Sequence, residues 1–190
     1  MFLAQHYGCQ IVGIDLSTEL LSRTRSIFTK ENPSARVDFV QGDAESLPFA
    51  DSTVDIVISE CAFSLLPHKD TAASEFSRVL KPGGKLVITD VILRGSQICE
   101  ELQNQVTFAL CIAGAKPLDG YINIFKKAGF TTYCIEDHSE ELKKLAYRML
   151  INEGFRKSWL DSPHQSDSRQ VLQKLFKQVK PGYALIAMTR

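Results

Sequence analysis

VDIVISECAFSLLPHKDTAASEFSRVLKPGGKLVITDV, residues 54–91, decides the fold of this chain. It opens with Val54-Asp55-Ile56-Val57-Ile58-Ser59, an apolar run too short for a helix and rich in β-branched residues, which predicts a buried strand. Ala72, Ala73, Phe76, Val79 and Leu80 then fall at helical spacing, so a helix follows between Asp70 and Leu80. Lys81-Pro82-Gly83-Gly84 stops it: Pro82 cannot continue a helix, and both glycines are expected to supply positive φ for a tight reversal. Lys85-Leu86-Val87-Ile88-Thr89-Asp90 is a second strand. Strand, helix and strand with short connections make a right-handed parallel crossover, and strands this apolar suit a sheet covered on both faces.

Upstream, Met1 to Gly8 reads as the end of a helix, with Phe2, Leu3 and His6 or Tyr7 on one side and Gly8 as its stop. Ile11 to Asp15 is a strand ending in an acid. Ser17 caps a helix whose inner face is read as Leu20, Thr24, Ile27 and Phe28, ending at Asn32-Pro33. Val37 and Phe39 alternate with Arg36 and Asp38 in a strand that closes at Gln41-Gly42-Asp43. Downstream, residues 97–113 predict a helix, and Ile122, Phe125 and Ala128 define the buried side of another that Gly129 ends. After the strand at 130–135, Ser139 caps a helix with Leu142, Leu145, Ala146, Met149 and Leu150 inward. A polar loop covers 155–168, and Val171, Leu172, Leu175 and Phe176 mark a last helix before the terminal strand. Six strands result, at 11–15, 36–41, 54–59, 85–90, 130–135 and 183–189. Their alternation with helices predicts an α/β fold, doubly wound and mostly parallel with an antiparallel C-terminal strand, in a single domain over 1–190.

Composition excludes several classes. With 190 residues, 44% apolar and 23% charged, the chain suits one α/β domain. Lys plus Arg and Asp plus Glu both number 22, which argues against nucleic acid as a partner, because such binding needs a clustered basic excess. No apolar run approaches the ~20 residues of a membrane span, and the first residues do not resemble a signal peptide. Five cysteines, an odd number with no Cys-x-x-Cys pair, favour a reduced, cytoplasmic protein.

Arg78-Val79-Leu80-Lys81-Pro82-Gly83-Gly84, between two strands, together with Gly42-Asp43-Ala44 after a third, resembles the class I S-adenosylmethionine-dependent methyltransferases. That family has seven strands. The first, with its Gly-rich turn, has no match upstream of Ile11, so the domain is expected to be N-terminally incomplete. The resemblance implies a Rossmann-like sheet, S-adenosylmethionine as cofactor and a small-molecule acceptor. It implies that Asp15, followed by Leu16, accepts from the ribose hydroxyls, since a carboxylate can accept two hydrogen bonds at once. Asp43, flanked by Gly42 and Ala44, is expected to accept from the adenine amino group. Ser59 and Glu60 are expected to meet the cofactor at the carboxyl edge of their strand. A capping role for Asp15 and a turn role for Asp43 are the structural alternatives. Asp15 alone would serve a dehydrogenase equally well.

Two cysteines narrow the acceptor. Ser59-Glu60-Cys61, and Cys111 in Cys111-Ile112-Ala113-Gly114-Ala115, are similar to the places where arsenite methyltransferases carry paired thiols, with Glu60 standing for an asparagine. The resemblance implies that Cys61 and Cys111 are the catalytic ligands of trivalent arsenic, a soft centre that thiolates suit. The alternatives are a quinone-biosynthesis type of methyltransferase with a carbon or oxygen nucleophile, or a non-catalytic fragment in which both cysteines are small buried apolar residues. Cys9 and Cys134 are expected in the core, and His68 at a helix start.

Overall fold

A computed structural model of the chain describes residues 2–31, 36–95, 112–151 and 177–190. The elements in chain order are α1 (Phe2–Tyr7), β1 (Ile11–Asp15), α2 (Thr18–Glu31), β2 (Val37–Gln41), β3 (Val54–Glu60), α3 (Lys69–Val79), β4 (Leu80–Leu93), α4 (Leu118–Lys127), β5 (Thr131–Asp137), α5 (Ser139–Ile151) and β6 (Pro181–Thr189). A 3-10 turn at Phe63–Leu65 separates β3 from α3. β1 and β2 pair in parallel, Ile11 opposite Val37 through Asp15 opposite Gln41. The other four strands lie in the order β3-β4-β6-β5. β4 runs parallel to β3, while β6 is antiparallel to both its neighbours. All six expected strands are present, and the C-terminal one is antiparallel as the sequence predicts.

Helices α3 and α4 cover one face of this four-stranded sheet. Leu86 and Ile88 on β4 are fully buried, in one cluster with Ala72, Ala73 and Phe76 of α3 and Tyr121, Ile124 and Phe125 of α4. Phe63 fills the centre, its ring 4.7 Å from that of Phe125 and 5.9 Å from that of Phe76. Burying one such ring is worth ~1.5–3 kcal/mol. A second cluster, Val91, Leu93, Ile112, Ala115 and Val179 with Tyr183 against it, includes the last residues of β4.

Several sequence expectations change. The buried side of α2 is Leu21 with Thr24 and Phe28; Leu20 and Ile27 are exposed. In α1 Ala4 is buried, while Leu3 and Tyr7 face solvent. In α4 Tyr121 and Ile124 are buried as well; of the expected stripe Phe125 is fully buried, Ala128 packs against the core and Ile122 is half-buried. Leu145 on α5 is exposed. A helix turns about 100° per residue, so an error of one position rotates the whole inner face. Neither of the two cysteines assigned to the core is buried: Cys9 is exposed and Cys134 half-buried on β5. The expected helix at 97–113 falls almost wholly outside the described residues, as do the loop at 155–168 and the helix carrying Val171 to Phe176.

The Lys-Pro-Gly-Gly turn is also built differently. β4 begins at Leu80 and takes in Lys81 to Gly84 as a bulge, since Val54 pairs with Leu80 but Ile56 with Lys85. Only Gly83 has positive φ, at 77°. Gly84 is needed for closeness instead: a Cβ there would lie 2.8 Å from the Lys81 carbonyl oxygen and 3.0 Å from Leu80 Cδ2. Gly84→Ala is therefore expected to lower unfolding free energy in urea by ~1–3 kcal/mol through overpacking, and an unchanged midpoint would refute this role.

Candidate active site

The carboxyl ends of parallel strands collect the polar side chains. At the end of β1 the Asp15 carboxylate accepts the Ser17 N–H at 2.8 Å, and Ser17 Oγ accepts from Leu20 N at 3.1 Å. Ser17 thus satisfies one of the orphan donors that open α2. The Leu16 side chain is exposed, and its carbonyl accepts from Gln41 Nε2. Asp43 follows β2 and accepts the Glu45 N–H at 2.9 Å in an Asx turn. Gly42 joins the two strand ends, its N–H donating to the Asp15 carbonyl. A Cβ on Gly42 would lie 3.1 Å from Ile14 Cγ2 and 3.3 Å from Pro48 Cδ, so this approach excludes a side chain. Asp43 carries the turn role that its sequence alternative named, whereas α2 is capped by Ser17 and Asp15 holds the backbone just before it. Each also keeps its second carboxylate oxygen without a hydrogen-bond partner among the described residues, which fits a further ligand.

The loop bearing Asp43 is tied to α3 by charge-assisted bonds. Glu75 accepts the Leu47 N–H at 2.8 Å. Arg78 donates to the Leu47 and Phe49 carbonyls and pairs with Glu75 and Asp51. Ala44 and Leu47 then pack against the main core. His68 sits at the N-cap position of α3, as expected, and its backbone N–H donates to Glu45.

At the end of β3, Ser59 is half-buried and Glu60 exposed, and Cys61 turns into the left-handed region at φ 48°. That conformation costs a non-glycine residue ~1–2 kcal/mol. It is held by the Cys61 N–H donating to the Thr89 carbonyl at 2.8 Å. The Cys61 Sγ lies 3.5 Å from the Tyr183 hydroxyl on β6. Burial, then the contact with Cys61, pushes the Tyr183 phenol up to about 12. One residue past Thr89, the Asp90 carboxylate is buried and accepts from Ser64 N and Val91 N, both at 2.7 Å. Burial raises its pKa despite these donors, and burial lowers that of the neighbouring Lys69. Ser64 Oγ is buried beside the Asp90 carboxylate and opposes the rise in its pKa. Gly114 packs directly on this turn, where a Cβ would overlap the Ser64 carbonyl oxygen.

Comparison with known proteins fits this geometry. Residues 1–88 match the family described as a methyltransferase domain. An arsenite methyltransferase of Halobacterium salinarum is 32% identical over 63% of this chain and 30% of its own length. A ubiquinone/menaquinone biosynthesis C-methyltransferase of Pseudomonas aeruginosa is 33% identical over 53% of this chain and 40% of its own. The solved Haemonchus contortus phosphoethanolamine N-methyltransferase 2, in complex with S-adenosyl-L-methionine, superposes at a TM-score of 0.74. That match is 25% identical and covers 99% of this chain and 45% of the other. These matches are what the chain is similar to, and together they support an S-adenosylmethionine-dependent methyltransferase. The chain spans less than half the length of each of these three relatives.

For a class I methyltransferase, the sequence reading located three groups at strand ends: Asp15 with Leu16, Asp43 with Gly42 and Ala44, and Ser59 with Glu60 and Cys61. Asp15 ends β1, and Asp43 follows the end of β2, the strand paired with it. Cys111 is outside the described residues. Sequence reasoning missed Thr89, Asp90, Tyr183, Ser64 and Lys69. Asp90 was detectable, because it ends an apolar strand just as Asp15 does. Tyr183 carried no local signal, since only the antiparallel return of β6 brings it beside β3. No helix among the described residues is long and apolar enough to cross a membrane.

The loop anchor has a pH signature. Its hydrogen bond to Arg78 holds the Glu75 carboxyl below its ordinary value of 4.5, so the unfolded chain takes up that proton first on acidification. The stabilisation is present above that ordinary value and is lost as pH falls through the lower folded value. Glu75→Gln should reduce the urea midpoint at neutral pH, with the difference from wild type closing at acid pH. A difference that persisted in acid would assign the effect to packing.

Proposed function

We propose that this methyltransferase transfers a methyl group from S-adenosylmethionine to trivalent arsenic held by Cys61 and Cys111. One observation carries the reading: Cys61 Sγ lies 3.5 Å from the Tyr183 hydroxyl, and Tyr183 packs on the apolar cluster that includes Ile112, the residue after Cys111 in the chain. Similarity to an arsenite methyltransferase supports it independently.

When bound, S-adenosylmethionine supplies an electrophilic methyl on a sulfonium sulfur. The open oxygens of Asp15 and Asp43 would take the ribose hydroxyls and the adenine amino group, with Gly42, Ala44, Leu16, Ser59 and Glu60 around them. Two thiols condense with arsenous acid, forming two As–S bonds and releasing two waters, so arsenic keeps its lone pair as the nucleophile. Alignment supplies most of the rate in such a displacement, and no base is needed at arsenic. A carbon acceptor, as in the C-methyltransferase relative, is the second reading. Asp90 favours it, because a buried carboxylate of raised pKa can take a proton from a carbon acid.

Two measurements test this. Asp43→Ala should weaken S-adenosylmethionine binding, read by calorimetry, by roughly ten- to a hundredfold, the ~1.5–3 kcal/mol of a charge-assisted bond; unchanged affinity removes the adenine assignment. Phenylarsine oxide should bind one per chain, with Cys61→Ser or Cys111→Ser alone abolishing most of the binding. Independent, additive losses would mean two separate reactive cysteines rather than one chelate.

A further inference from the structure

We propose that Glu75 and Arg78 of α3 are positioning residues for the cofactor's base, holding Asp43 where its open carboxylate oxygen can receive the amino group. This rests on the reading of Asp43 as the adenine acceptor. Asp43 lies between two fixed points. Upstream, the Gly42 N–H donates to the Asp15 carbonyl, which sets the exit of β2 against β1. Downstream, Glu45 Oε1 accepts the His68 N–H at 2.7 Å, and the Leu47 N–H donates to Glu75 Oε2 at 2.8 Å. Arg78 closes the segment with one guanidinium: Nη2 donates to the Leu47 carbonyl at 3.0 Å and Nη1 to the Phe49 carbonyl at 2.7 Å. Leu47 is thus gripped by both of its backbone polar groups.

The turn alone cannot place the acid. The Ser46 N–H donates to the Asp43 carbonyl and the Glu45 N–H to Asp43 Oδ1, bonds that set the shape of the turn but not its location, because both partners lie within it. Location comes from bonds to another element, and these end on α3. That support is rigid. Arg78 Nε and Nη2 grip the two Glu75 oxygens as a fork, at 2.7 and 2.8 Å, and α3 buries Ala72, Ala73, Phe76 and Val79 in the core. The two sheets share no ladder among the described residues, so this segment also helps to set Asp15 and Asp43 against Ser59 and Glu60. An anchor of this kind acts through geometry, where a misplacement of about 1 Å is enough to lose a directional contact. A plain helix-surface ion pair would contribute to stability and leave base recognition untouched.

The test combines amide hydrogen exchange with base selectivity. Arg78→Met keeps the apolar stem and removes every donor, and Glu75→Ala removes the acceptor of the Leu47 N–H. In both, the Glu45 amide, which neither side chain touches, should exchange about tenfold faster while the amides of β4 stay protected, the effect of one lost hydrogen bond on a local opening. Where Arg78→Met opens β4 as well, Glu75→Ala decides. By calorimetry the wild type should prefer S-adenosylhomocysteine to S-inosylhomocysteine, which has a carbonyl in place of the amino group, by roughly tenfold or more. Both variants should lose most of that preference. Glu75→Gln, which keeps an oxygen for the Leu47 N–H, should retain it. Unmoved Glu45 exchange, or a base preference kept in full by Glu75→Ala, overturns the proposal. The adenine reading is tested separately: if exchange rises but the wild type shows no base preference, the anchor still holds Asp43 and the adenine assignment falls.

Discussion

The structure depends on the desolvation of β4. This strand is hydrogen-bonded along both edges, parallel to β3 and antiparallel to β6, and Leu86, Ile88 and Asp90 on one of its faces are buried. A backbone so far from water must pair every polar group, and the two ladders accomplish that. The pairing also fixes the neighbourhood of its carboxyl end. Thr89 stands opposite both Glu60 and Leu185, so the exit of β3 and the start of β6 are held on either side of it. Cys61, Tyr183 and Asp90 meet there as a consequence of register rather than of any contact of their own.

The same burial makes this end of the sheet costly. Asp90 loses hydration that its two backbone donors restore only in part, since its pKa still rises. Below the unfolded value the protonated carboxyl contributes fully to stability, and that contribution is lost as pH rises through the folded value. Cys61 adds left-handed backbone strain. Unsatisfied and strained groups persist where surrounding packing over-determines them, and here Phe63 and its aromatic neighbours do so. Their concentration at the carboxyl ends of strands is what an open α/β sheet with a ligand site there would show. The other two acids, Asp15 and Asp43, sit in a cheaper setting, half-buried and each occupied by one local backbone donor.

The order of strands and helices was legible from residues alone because it follows from periodicity and from Gly and Pro, which act within a few residues. Gly8, Gly83 and Gly129 all take positive φ where a stop or turn was read. Asp15 and Asp43 were legible for the same reason, as acids that end apolar runs. The inner faces of α1 and α2 were not fully legible, because several neighbouring stripes on each helix are apolar enough and only the partner surface selects one. Leu21 rather than Leu20 is buried for that reason. Gly84 was read as a turn residue, but the requirement comes from Lys81, Leu80 and Asp55 occupying the place a Cβ would take, a closeness that no local pattern encodes. Likewise Cys61 announced itself by position, while its partner Tyr183 lies 122 residues away. Only the antiparallel pairing of β4 with β6 joins them, since long-range register depends on the whole sheet closing.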